Sequence, residues 1–380
     1  MTKINKREFI KKSLLGAGGI CGAGCIKLFA ADIQGNITGK DDLWKWSKEA
    51  LFYEETPRGI KCMICPNECI LKLDELSVCR NRINKNDKLY TIAYGNPCAI
   101  NVDPIEKKPF FHFLPTTKAF SIATAGCNFA CLNCQNWTIS QSTPTETKNY
   151  DLMPASLVDS CIKSGCESIA YTYSEPITFF EYTYDTAKIT ASQGIRNVLV
   201  TAGYINEEPL RYFLKYIDAV TLDIKSFREN IYLKLNAGKL QPILNTLKII
   251  KEEGVWLEIS NLVIPGWTDD FGMIKEMCEW LYTNELQDYP LHFLRFHPMY
   301  KLTQLPSTPV STLEKARDIA IAAGIKFAYI GNVPGKNYSN TYCPKCEKLL
   351  IERLGYQITQ NHIKNGKCEY CGEPIPGVWS

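Results

Sequence analysis

Across residues 120–330, short runs rich in β-branched and aromatic residues alternate with longer stretches whose apolar positions recur every three or four residues. The short runs predict strands over 120–124, 168–172, 197–201, 219–223, 256–263, 291–296 and 326–330. The longer ones predict helices. In 155–164, Leu157, Val158, Cys161 and Ile162 fall on one helical face, and Gly165 is a stop signal. Ser311 with Glu314 has the form of a capping box ahead of Leu313, Ala316, Ile319 and Ala320, and Gly324 closes that helix. Strand–helix alternation repeated six times implies a parallel sheet, either doubly wound or curled into a full or partial barrel.

Composition then narrows the class. Of 380 residues, 45% are hydrophobic and 22% charged, which supports a sizeable core and argues against wholesale disorder. Lysine and arginine number 43 against 40 acidic residues, a net charge of +3, which argues against a dedicated nucleic-acid binder. The 17 cysteines are an odd count gathered mostly in short clusters. That pattern reads as metal ligation in a reduced compartment rather than a disulfide scaffold.

No stretch approaches the ~20 apolar residues needed to span a bilayer as a helix. Basic Lys3, Lys6, Arg7, Lys11 and Lys12 precede a weakly apolar, Gly-rich run over 13–26, and small Ala30 and Ala31 follow. This is the layout of a signal peptide. Residues 6–11 resemble a twin-arginine (Tat) signal with lysine in place of the first arginine. The expected organisation is a signal-like segment over 1–31, an N-terminal four-cysteine region over 32–112, a core over 113–335 and a C-terminal module over 336–380.

The central motif is Cys127, Cys131 and Cys134, spaced C-x3-C-x2-C in the loop after the first predicted strand of the alternating unit. Three thiolates can hold three irons of a 4Fe–4S cluster and leave the fourth without a protein ligand. An open coordination position separates a catalytic metal site from a closed one. A zinc knuckle, or a cluster borrowing a fourth cysteine, is the alternative. The location after a barrel strand favours the open cluster, because active sites sit at that end.

Two flanking clusters have the spacing of closed sites. Cys62, Cys65, Cys69 and Cys79 are spaced C-x2-C-x3-C-x9-C and suit zinc or a saturated iron–sulfur cluster. Cys343, Cys346, Cys368 and Cys371 form paired CxxC knuckles, the pattern of a zinc ribbon, with a rubredoxin-like iron site as the rival. The second stretch is too short for an adequate core, so metal is expected to supply its folding free energy. Cys161, Cys166 and Cys278 are expected in the core, and Cys98 as a buried thiol rather than a spare ligand.

At Cys127–Cys134 the sequence resembles the radical S-adenosylmethionine (SAM) superfamily, and within it the class of the pyruvate formate-lyase activating enzyme. It is most similar to the radical SAM enzymes of the AmmeMemoRadiSam system. The resembling phrases are Asp103-Pro104-Ile105-Glu106-Lys107-Lys108-Pro109, Cys134-Gln135-Asn136-Trp137 with Ile139-Ser140, and Gly331-Asn332-Val333-Pro334-Gly335. The resemblance runs from about Cys62 to the carboxyl terminus. It implies an α/β fold, a partial (β/α)6 TIM-type barrel with small cysteine-rich metal-binding appendages at both ends. It also implies a 4Fe–4S cluster, SAM cleaved reductively to a 5′-deoxyadenosyl radical, and hydrogen abstraction from a substrate such as a glycyl radical protein. By the same comparison, Ser174 and Glu175 after the second of those strands, Asp223 and Lys225 at the fourth, and His297 at the sixth are expected on the SAM side. Asn133 departs from the family, where an aromatic residue commonly precedes the third cysteine. The implied partners are SAM, an electron donor such as flavodoxin or ferredoxin, a protein substrate, and Memo-like and AMMECR-type proteins. SAM and such donors imply cytoplasmic chemistry, whereas the Tat-like segment implies export or membrane tethering. The rivals are a radical SAM catalyst acting on a small molecule or another side chain, and a metal-stabilised binding or electron-transfer protein that never cleaves SAM.

Overall fold

The computed structural model describes residues 44–333 and 337–380, so the signal-like segment lies outside the described residues. Eight strands form one sheet, hydrogen-bonded in chain order: β1 (Ala99–Pro104), β2 (Lys118–Ala123), β3 (Ser168–Tyr171), β4 (Arg196–Thr201), β5 (Ala219–Asp223), β6 (Trp256–Val263), β7 (Leu291–Arg295) and β8 (Ala328–Gly331). From β2 to β8 every pair is parallel, while β1 lies antiparallel on the edge. The crossovers are α1 (Pro154–Lys163), α2 (Phe180–Ala191), α3 (Glu207–Leu214), α4 (Leu240–Glu252), α5 (Phe271–Thr283) and α6 (Val310–Ala322). This is the α/β alternation that the sequence predicts. Strand β1 is additional, and it joins residues 99–104 to the core sheet. Its half-exposed, polar-rich Ala-Ile-Asn-Val-Asp-Pro run has too weak an alternation to be read locally.

The sheet is curled. Residues 105–114 pack Phe110 and Phe113 against Ala119 of β2, Ala170 of β3, Val198 of β4 and Ala219 of β5. The amides of Phe111 and His112 donate to Glu258 of β6 at 2.7–2.9 Å, and the Phe111 ring lies 4.8 Å from His292 of β7 and 4.9 Å from Tyr329 of β8. In a flat sheet β2 and β8 would stand roughly 29 Å apart, too far for one ten-residue segment to touch both. The edge strands β1 and β8 do not pair, so the barrel is partial.

Alternation assigns the two faces. Ile122, Tyr171, Leu199, Leu222, Leu257 and Phe293 point outward into one apolar cluster with helix residues such as Leu157, Phe213, Leu247 and Leu281. Each such buried side chain contributes about 1.5–3 kcal/mol. The inward face carries polar Ser121, Thr221, Asp223, Glu258, Ser260 and His292 beside apolar Ala119, Ala170, Val198 and Ala219. The capping box expected at Ser311 is not formed. Helix α6 begins at Val310 after Pro309 with no side-chain cap, and Glu314 pairs instead with the Tyr338 hydroxyl.

The C-terminal module closes the floor of the barrel. Its sheet of Thr341–Tyr342, Leu349–Leu354 and Gln357–Asn361 packs Leu350 and Ile351 against Phe111, Phe327 and Tyr329. Leu114 N donates to Val378 O, Val378 N to His112 O, and Arg353 Nη2 to Phe111 O, at 2.7–2.8 Å. Among the described residues, no helix is long and apolar enough to cross a membrane.

Candidate active site

The three-cysteine loop leaves the carboxyl end of β2 and is pinned on all sides. Ala130 N donates to Asn236 O at 3.0 Å, Leu132 N to Leu235 O at 2.8 Å, and Lys301 N to Leu132 O at 3.0 Å. Asn128 Nδ2 donates to Tyr204 O and Gln141 Nε2 to Phe129 O. Gly126 is required at the loop entrance: its φ is +94°, and a Cβ there would stand 2.4 Å from the Cys79 carbonyl oxygen. Gly238 is required for space, since a Cβ would fall 2.0 Å from the Phe129 ring.

Cys127, Cys131 and Cys134 are unpaired thiols. Burial pushes the Cys127 and Cys131 thiols above the ordinary value, which disfavours their thiolates without a positive partner. Donors already face the sulfurs. Phe129 N lies 3.4 Å from Cys127 Sγ, and Asn236 Nδ2 lies 3.1 Å from Cys131 Sγ. Lys225 acts on Cys131 electrostatically. Half-buried thiols with amide donors and a nearby ammonium fit an iron–sulfur cluster, whose thiolate ligands and negative charge such groups stabilise.

The structure gathers most of the predicted partners around this loop. Lys225 Nζ pairs with Asp223 Oδ2 at 2.7 Å, and Ser260 Oγ donates to the other carboxylate oxygen. Burial alone would lower the Lys225 pKa, but Asp223 and the Cys131 sulfur hold it above the ordinary lysine range. Glu175 is buried beside Cys127, and burial raises its pKa. Its oxygens accept from Thr201 Oγ1 at 2.5 Å, Ala202 N at 2.9 Å and Ile177 N at 3.3 Å. Its carboxylate therefore ties the loop after β3 to the end of β4. Ser174 Oγ donates to Thr124 O at 2.8 Å. His297 is exposed just past β7, with Nδ1 3.2 Å from Ser307 Oγ, and its neighbour Phe296 packs in a cluster with Leu132 of the cysteine loop.

Asn236 is marked by no local motif, whereas Asn136, Asp103 and Lys108 lie in the resembling phrases with no role of their own read from the sequence. Asn236 lies in an irregular helical turn before Ala237, whose φ is +58°. Asn136 Nδ2 donates to Tyr173 O at 2.7 Å, linking the cysteine loop to the loop after β3. Tyr173 turns its hydroxyl onto Asp103, and Lys108 Nζ meets the same carboxylate at 2.5 Å. Burial pushes the Lys108 amine down to about 8 although Asp103 opposes it.

The two appendages differ in kind. Cys343 and Cys371 sulfurs lie 3.6 Å apart, Cys346 and Cys368 sulfurs 3.8 Å, and all four lie within 4.8 Å of one another. Tetrahedral thiolates around one ion of zinc size stand about 3.8 Å apart. The N-terminal Cys62, Cys65, Cys69 and Cys79 line one cavity together with Asn67, Ser77, Arg82 and Asn128.

A parallel half-barrel with an unpaired three-thiol loop at the carboxyl ends of its strands defines a metal-cluster enzyme site. The chain belongs to the radical SAM superfamily: the family model for that superfamily matches residues 121–281. An uncharacterized protein of Methanocaldococcus jannaschii is 44% identical over 331 residues, 86% of this chain and 98% of that protein. The pyruvate formate-lyase 1-activating enzyme of Escherichia coli (strain K12) is 23% identical over 218 residues, 54% of this chain and 89% of that enzyme. The 4-hydroxyphenylacetate decarboxylase activating enzyme of Clostridium scatologenes is 24% identical over 173 residues, 44% and 54% of the two chains. Among solved structures, SuiB of Streptococcus suis aligns with a TM-score of 0.45 at 12% identity, over 60% of this chain and 52% of that one.

Proposed function

We propose that Cys127, Cys131 and Cys134 hold a 4Fe–4S cluster with one open iron, and that the enzyme cleaves SAM reductively to start hydrogen abstraction from a glycine of a protein substrate. The observation that carries this reading is the Cys131 environment, where an amide donor and the Lys225–Asp223 pair converge on a thiol of the pinned loop. Held by Cys127, Cys131 and Cys134, the cluster would supply the one electron needed for reductive cleavage of SAM. The likeness to activating enzymes supports the glycyl radical substrate.

The chain's own residues bind and orient. Asp223 and Lys225 present a carboxylate and an ammonium at the end of β5, complementary to the amino and carboxylate groups of SAM. Ser174 lies on the loop that Glu175 fixes to β4, so Glu175 acts in SAM binding by holding that loop. His297 contributes from the rim past β7. A substrate enters from above, because the C-terminal module closes the floor. That module is held by one zinc or iron ion on its four thiolates. The electron donor is a flavodoxin or ferredoxin, and Memo-like and AMMECR-type proteins are the functional partners. The chemistry is cytoplasmic, and the Tat-like segment directs export or tethering after the metals are loaded. A reporter fused to residues 1–35 that stays wholly cytosolic overturns the export reading.

The test is anaerobic reconstitution with iron and sulfide, then assay of 5′-deoxyadenosine from SAM and dithionite. Wild type is expected to form it and Cys131→Ala to form none. A fully iron-loaded wild type that cleaves no SAM overturns the proposal in favour of a binding or electron-transfer role.

A further inference from the structure

The N-terminal thiols and the three-cysteine loop stand back to back. Asn128, which follows Cys127, forms part of the wall of the cavity that Cys62, Cys65, Cys69 and Cys79 line. Asn67, between Cys65 and Cys69, donates from Nδ2 to Asn128 O at 2.9 Å. Gly126, which precedes Cys127, packs on the Cys79 carbonyl so closely that no side chain fits between them. Residues 126–128 are thus a wall common to both sites.

The cavity also differs from the C-terminal site in the way that separates a cluster from a single ion. At the C-terminal site four sulfurs converge within 4.8 Å, the spacing of four thiolates on one ion. At the N-terminal site both apolar Ile64 and Ile177 and polar Asn67, Ser77, Arg82 and Asn128 share the wall with the sulfurs. Among the described residues only the C-terminal four gather at that single-ion spacing, whereas Cys62, Cys65, Cys69 and Cys79 are spread around a cavity wall. Ser77 Oγ lies 3.0 Å from Cys79 Sγ. The buried Arg82 guanidinium, held by Glu181 through bonds of 3.0 and 2.8 Å, acts electrostatically on Cys62 and offsets the charge of a tetrathiolate. Solvent reaches the far side, where Leu73, Leu76 and Val78 are exposed between Cys69 and Cys79.

We propose that Cys62, Cys65, Cys69 and Cys79 hold an iron–sulfur cluster that relays electrons from a reduced low-potential one-electron carrier to the Cys127–Cys131–Cys134 site. The relay, but not the cluster, rests on the reading of that loop given above. Each passage oxidises the carrier by one electron, reduces and reoxidises the relay, and deposits the electron at the three-cysteine site, with no bond made or broken. Zinc, which has no redox chemistry, could not serve.

The deciding experiment uses the full chain with Cys127→Ala, Cys131→Ala and Cys134→Ala combined, reconstituted anaerobically with iron and sulfide. About four irons and four sulfides per chain are expected, with an electron paramagnetic resonance signal on reduction. Zinc in their place, or no iron, overturns the proposal. Cys65→Ala, with its three-cysteine site loaded, then separates the relay from mere structure. Deoxyadenosine formation driven by reduced flavodoxin is expected to fall about tenfold or more. With dithionite, a small reductant able to reach the three-cysteine site directly, it is expected to stay within about twofold of wild type. Equal loss with both reductants, or no loss with flavodoxin, overturns the relay. Wild type that cleaves no SAM even with dithionite sinks the reading of the three-cysteine loop and the relay with it, while the iron count of the triple variant still decides the N-terminal site.

Discussion

Asn236 donates from Nδ2 to the sulfur of Cys131 at 3.1 Å across a separation of 105 residues. The same residue's carbonyl accepts from Ala130, so one asparagine fixes both the backbone and the ligand sulfur of the loop. Asn236→Asp removes the donor and faces the thiolate with a negative group. Iron retention after reconstitution and deoxyadenosine formation are expected to fall about 10–100-fold, the usual cost of losing an outer-shell partner. Unchanged iron content and activity would show that the bond is incidental.

Gly126→Ala combines an unfavourable φ of +94° with a clash against Cys79 and Asn81. It is expected to destabilise the fold by about 2 kcal/mol or more and to lower iron binding at both neighbouring sites. Gly254→Ala is the control, because its φ is +69° with nothing within 4 Å of a new Cβ. Denaturant melts that rank the two equally would remove the packing argument.

The Arg82–Glu181 pair is buried on both sides and bidentate. Glu181→Gln removes the carboxylate that holds the buried guanidinium and is expected to cost about 3–5 kcal/mol. Pairing Arg82→Met with Glu181→Leu removes both charges and should cost less. Urea melts of the single and double variants check the order.

His112 is held neutral in the floor of the barrel, with burial pushing it down to about 4. Its partners are the Tyr329 hydroxyl and the Pro376 carbonyl, each at 2.7 Å. The unfolded chain takes up this proton near the ordinary histidine value of about 6.5, so it binds more protons than the folded chain in between. Stability is therefore full above pH 6.5 and is lost as pH falls towards 4, by on the order of 2–4 kcal/mol. Glu258, which His292 keeps ionised against the effect of burial, adds loss in the same direction. Stability measured in urea across that window should slope upward with pH, and His112→Gln should flatten the slope.

A chelator that strips the metal proposed at Cys343, Cys346, Cys368 and Cys371 is expected to free the Leu114–Val378 and Val378–His112 hydrogen bonds while the β2–β8 sheet persists. Hydrogen exchange at Leu114 and Val378 should rise with little change at Leu222 or Ile259. Unaltered exchange at Leu114 would show that the module stays docked without metal.

The sequence by itself determined whatever is written within one strand, one helix or one loop. Short β-branched and aromatic runs located β2 to β8, and the spacing of Cys127, Cys131 and Cys134 located the three-cysteine loop. The paired CxxC knuckles located the C-terminal site. These are local periods, set by backbone geometry, so a single chain displays them. The tertiary structure alone decided the rest. Curling of the sheet lets residues 105–114 touch seven strands and turns Glu175 into a clamp on β4 rather than an open ligand. The same curvature carries Asn236 to Cys131. It also sets the Cys62–Cys79 cavity against the wall behind Cys127. Such contacts depend on strand order and curvature, which no spacing along the chain encodes.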